Sequence, residues 1–158
     1  MRPLAIIAAL LLAACAPAPR QSAPAKADAA KTGTAKADPT AEPWYGETIE
    51  QLKSMNHDAG ALVRAGKSDE AAAIITKTQP LANRLLSAPK PTLPALKAVS
   101  DSDQLYGRML LANKNYGWAR LLFQKDASRW KTWQPQTPDT ARRLALARDG
   151  IAECDRHL

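Results

Sequence analysis

Cysteine is nearly absent from this chain: only Cys15 and Cys154 occur, with no CxxC pair. That excludes a disulfide-stapled scaffold and a paired-thiol redox motif. Histidine is as scarce. His57 and His157 have neither a second histidine at helical spacing nor a carboxylate cluster beside them, so no zinc site is expected and both read as surface side chains. Asp101-Ser102-Asp103 lacks the glycine and distal glutamate of a calcium loop and fits a helix cap better. No acid/base pair or nucleophile arrangement stands out, so the expectation is a protein that is not an enzyme, with no catalytic residues, no metal and no cofactor. The apolar run at residues 4–12 (LAIIAALLL), which ends in small residues, is too short for a permanent membrane span, which takes about 20 residues.

What is present at the start has the pattern of an export signal. Met1 and Arg2 form a short positive region, the apolar run follows, and small residues lead to Leu12-Ala13-Ala14-Cys15. These four resemble the bacterial lipobox: a branched apolar residue, two small residues that fit a peptidase groove, then a cysteine to be acylated. The resemblance implies a signal peptide over residues 1–14, a lipidated Cys15 and two or three acyl chains. Each buried methylene contributes about 0.8 kcal/mol and two or more chains hold firmly, so the mature protein is expected to stay on a membrane. Ala16, where an aspartate would favour inner-membrane retention, points to the periplasmic face of the outer membrane.

Residues 16–43 contain no Leu, Ile, Val, Met or aromatic residue. They cannot bury enough apolar surface to offset the entropy of ordering, so residues 15–43 are expected to be a lipidated, disordered Ala/Pro/Lys tether. Residues 44–158 are the right size for a single domain. Its charge is uneven. Lys and Arg match Asp and Glu seven to seven over residues 44–104 but exceed them ten to five over residues 105–158. Such an excess suits acidic glycans, anionic headgroups or an acidic protein; nucleic acid is excluded by the expected compartment.

Apolar residues recur at three and four rather than two, which predicts an all-α fold. Tyr45, Ile49, Leu52, Met55, Ala59 and Leu62 form one stripe, with Gly66 placed to end the helix. Ala71, Ile74, Ile75, Thr78, Ala82 and Leu85 form a second from about Ser68, with Asp69 and Glu70 in its first turn and a kink or short break expected at Pro80. Residues 89–94 read as a loop, with Thr92 or Ser100 placed to cap helical turns. A third helix is expected over residues 101–113, carrying Leu105, Met109 and Leu110, before a turn at Asn113-Lys114-Asn115. Tyr116, Ala119, Phe123, Ala127 and Trp130 line a fourth helix. Thr137 and Pro138 then start a fifth, whose seam is Leu144, Ala147, Ile151, Cys154 and Leu158. Cys154, on this seam, is expected to be a small buried apolar residue.

Two places resemble the tetratricopeptide repeat, a helix-turn-helix unit of about 34 residues. Gly107, Tyr116, Ala119 and Phe123 match its small, aromatic, alanine and aromatic positions, and Leu110 is bulky where a tyrosine is usual. Asp126 and Lys131 stand where alanine and proline are usual. Leu62, the run from Gly66 to Ala71, and Ile75 are a fainter copy. Ala71 and Ala119 are then equivalent, 48 residues apart, with the 89–94 loop as insertion. The resemblance covers roughly residues 55–130 and implies a concave surface for a peptide or helix, not catalysis; a generic antiparallel helical bundle remains the alternative.

The candidate contact surface is Trp118, Arg120, Arg129, Lys131 and Trp133, aromatic faces interleaved with cations as a sugar ring or acidic peptide would use them. Two functions stand: an envelope adaptor binding another protein, or an accessory protein binding peptidoglycan or another glycan.

Overall fold

The computed structural model describes residues 38–158; the expected signal peptide, Cys15 and most of the expected tether lie outside the described residues. Within them the chain is all-α. A helical turn at Pro39–Ala41 precedes α1 (Pro43–Arg64), α2 (Ser68–Leu86), α3 (Leu93–Ala112), α4 (Tyr116–Thr132) and α5 (Pro138–Asp155). Helical structure is thus already in place at Pro39, ahead of the expected boundary at Trp44, because Asp38 accepts hydrogen bonds from the Thr40 backbone and hydroxyl at 2.9 and 2.8 Å and Pro43 opens α1.

The helices stack in chain order. α1 pairs with α2, both pack on α3, and α3 and α4 each pack on α5; among the described residues nothing joins α1 or α2 to α4 or α5. Each helix therefore meets only its near neighbours, as in repeat architectures. Two hairpins, α1–α2 and α3–α4, turn identically. Gly66 (φ 74°) and Lys114 (φ 60°) are both left-handed. Around them, Lys67 N–H donates to Leu62 C=O at 2.9 Å, and Asn115 N–H to Leu110 C=O at 2.8 Å. Ala71 and Ala119 begin the second helix of each hairpin with the same bond, to Lys67 and Asn115, both at 3.0 Å. The expected 48-residue equivalence is therefore a backbone fact.

The apolar core lies in three parts. Tyr45, Ile49, Leu52, Ala82, Leu85, Ala95 and Val99 join α1, α2 and the start of α3. Ala59, Ala71, Ile75 and Met109 hold the other end of the first hairpin. Ala119, Phe123 and Cys154 join α4 to α5. The Phe123 ring is wedged between two glycines: a Cβ on Gly107 of α3 or on Gly150 of α5 would come within 2.7 Å of it. Without side chains there, three helices close on one ring.

Four local expectations are corrected. α3 starts at Leu93, not Asp101; Thr92 caps it by accepting from Ala95 N–H at 3.4 Å, and Pro94 is harmless in a first turn that needs no N–H from it. Asp101-Ser102-Asp103 is consequently mid-helix rather than a cap. Of the kink or short break expected at Pro80, the break is not found, since α2 runs unbroken through it: Thr76, whose carbonyl the missing N–H leaves free, is exposed, as is Pro80, so water can take that bond. Leu158 lies beyond the end of α5 and is exposed, off the seam that buries Ala147 and Cys154.

Candidate functional site

Five consecutive polar residues, Ser100 to Gln104, occupy the middle of α3, and each reaches another helix. The Ser100 hydroxyl donates to Asp126 at 3.0 Å and accepts from the Trp130 indole at 2.9 Å. Asp101 accepts from Arg143 of α5 at 2.6 Å. Ser102 meets Thr78 of α2 at 2.8 Å; since the Thr78 hydroxyl already donates to the Ile75 carbonyl at 2.7 Å, Ser102 is the donor. Asp103 accepts from Arg129 at 2.9 Å, and Gln104 donates to Asp126 at 2.9 Å. α3 is thus a polar hub in a mostly apolar stack.

Its centre is ionic. Arg129 bridges two buried carboxylates, Asp103 and, at 2.7 Å, Asp126. Burial pushes the Asp126 carboxyl up from its ordinary value, against its bonds from Gln104, Arg129 and Ser100, and neighbouring Asp103 adds to the rise. On α5, Asp139 is held well below the usual carboxylate range by hydrogen bonds from Lys97 and Arg142. Burial opposes the Arg143 charge, but Asp101 and Asp139 outweigh it and raise its pKa. Burial pushes the Cys154 thiol up, with Asp155 adding to the effect. Cys154 is fully buried, within the apolar contact of α4 and α5.

The five candidate contact residues do not converge. Arg129 is a correction: its side chain is 10% exposed and locked between Asp103 and Asp126, so it is an interior ion pair and not a ligand contact. Arg120 donates to Asp155 at 2.6 Å. Trp118 is 69% exposed, Lys131 is exposed, and Trp133 is half-buried where α4 ends. Fifteen residues of helix separate the last tryptophan from Trp118, about 22 Å, too far for one sugar-sized site. His57 lies at the surface beside Asp58, and His157 stacks on Tyr116 with centroids 4.4 Å apart. Among the described residues no three His, Cys, Asp or Glu side chains are placed to hold a metal.

Two hollows that meet at Arg108 make a broken groove beside the C-terminal half of α3. A hollow of about 410 Å³ is bounded by Arg108 and Leu111 of α3, Phe123 of α4, and Asp149, Gly150 and Glu153 of α5. A smaller one of about 130 Å³ lies between Val63, Ser68, Leu105, Arg108 and Met109. Exposed Arg108 borders both. The clue in the sequence was Gly107 followed by a charged residue: the glycine lets α3 and α4 close, and the next residue falls at the rim. No family model, curated protein or solved structure matches this chain.

Proposed function

We propose that this protein is a lipid-anchored lipoprotein of the bacterial envelope that acts as a non-enzymatic adaptor, holding a partner protein through the groove along α3. The observation that carries the reading is the chain-order stacking of two like hairpins, which leaves one face of α3 open between α1 and α5 and lined by apolar side chains and charges of both signs. That composition suits a peptide or helix, and the stacking supports the resemblance to tetratricopeptide repeats. The non-enzymatic reading is supported by where the buried carboxylates are spent: Asp103 and Asp126 both hold Arg129. The anchor rests on Leu12-Ala13-Ala14-Cys15, and the outer membrane's periplasmic face on Ala16. Among the described residues no helix is long and apolar enough to cross a membrane. Binding to peptidoglycan or another glycan is the less favoured reading, because its five residues are dispersed.

Two measurements test the proposal. Cys15→Ala should release the protein from the membrane fraction with its helical content unchanged; retention would sink the anchor. Chemical crosslinking of the membrane-bound protein should return a stoichiometric protein partner that Arg108→Glu loses. Capture that is indifferent to Arg108→Glu would remove the groove from the mechanism.

A further inference from the structure

We propose that the outer face of α4 is a docking surface for an anionic lipid bilayer. The face is defined by Trp118, Leu121 and Lys125, spaced by three and four so that they share one side of the helix. Trp118 and Leu121 are 69% and 56% exposed, and Gly117 beside them carries no side chain to cover the ring. Lys125 is exposed one turn further on, and Lys114 stands exposed in the turn before the helix. Neither lysine has a carboxylate partner among the described residues. The one carboxylate on α4 is Asp126, buried and held by Arg129, so nothing negative on this helix's outer face opposes the lysines.

The occupant follows from charge and shape. Exposed tryptophan, leucine and lysine on one helical face, with no exposed acid, is the composition of helices that lie in a membrane interface: the indole sits at headgroup level, the apolar group enters the acyl boundary, and the lysines meet lipid phosphates. Neither of the two hollows beside α3 includes Trp118, Leu121 or Lys125, and a fluid interface conforms to such a convex helix face. The face lies roughly 170° around α4 from Phe123, which floors the larger groove. A bilayer on one side of α4 therefore leaves that groove turned away from it. The inference goes beyond the adaptor reading and needs neither the groove nor the acyl chains.

Vesicle co-sedimentation of residues 16–158, without the apolar run at residues 4–12 and without Cys15, removes both from the measurement. With vesicles of equal parts phosphatidylglycerol and phosphatidylcholine at low salt, binding should exceed that to pure phosphatidylcholine by about tenfold or more and fall as salt is raised. Trp118→Ser with Leu121→Ser, and separately Lys114→Glu with Lys125→Glu, should each weaken anionic binding by about tenfold or more, while Trp118→Phe retains most of it. All these positions are exposed, so circular dichroism should report intact helices. No binding to anionic vesicles, or binding that neither double variant weakens, would overturn the proposal. So would a photocrosslinker at position 118 that captures a protein rather than lipid in cells.

Discussion

The two hairpins share a turn and differ in what fills the seam behind it. With the 48-residue shift set by Gly66 and Lys114, Met55, Thr78 and Leu81 of the first hairpin stand where Asp103, Asp126 and Arg129 stand in the second. Leu52 corresponds to Ser100, and Ala82 to Trp130. The first hairpin is held by aliphatic volume around Leu52 and Leu85. The second is held at the same positions by a guanidinium between two carboxylates and by an indole bonded to a hydroxyl. The comparison teaches that two hairpins closed by the same turn can carry quite different chemistry along their seams. Polar contents cost desolvation and return directional bonds, which here let α3 address α2, α4 and α5 separately.

The comparison can be broken most forcefully at its ionic centre. Arg129→Leu leaves Asp103 and Asp126 as buried, unpaired charges and should cost about 3–5 kcal/mol in denaturant unfolding. Transplanting the whole first-hairpin set, Asp103→Met with Asp126→Thr and Arg129→Leu, should recover most of that loss, because no charge is then stranded. A triple variant as unstable as the single one would mean the two seams are not interchangeable.

A second test concerns the close approach. Gly107→Ala drives a methyl into Phe123, which cannot retreat because Gly150 closes the other side of the ring. Thermal unfolding should show a loss of about 1–3 kcal/mol. At the equivalent position in the first hairpin an alanine, Ala59, is already present and fully buried, clustered with Ile75 where the second hairpin has Phe123. If Gly107→Ala proved neutral, the three-helix wedge would not control the crossing.

The smallest effect should separate the two turns. Gly66→Ala places a Cβ at a left-handed φ and should cost about 1 kcal/mol, while Lys114→Gly relieves the same strain and should gain a similar amount. Equal signs in equilibrium unfolding of the two variants would deny that the turns are equivalent.

Much of this fold was legible in advance. The stripes of α1 and α2 needed only hydrophobic periodicity, since Tyr45, Leu52, Ala59, Ile75 and Leu85 are buried as their spacing requires. Thr137 and Pro138 announced α5, and the structure adds a capping box with Thr140. The start of α3 was not legible, because a Pro-rich run reads as loop until Thr92 is seen capping it. The candidate surface was the least legible part. Arg129 and Trp118 look alike in sequence, as a cation and an aromatic on one helix, and they part only through what faces them. Asp103 and Asp126 draw the arginine inside, and nothing covers the tryptophan.

The sequence alone determined that five helices form, where their turns fall and the 48-residue correspondence, because periodicity and turn residues are local properties written within a few residues, while the first two turns of α3 escaped it. Tertiary structure decided which charges are interior and which are free. Ser100 to Gln104 form a polar hub rather than a cap because α2, α4 and α5 each bring a partner to them, and the groove beside Arg108 exists only where α3 and α5 close over Phe123. Those outcomes depend on residues far apart in the chain meeting in space, where burial raises the cost of any polar group left without a partner.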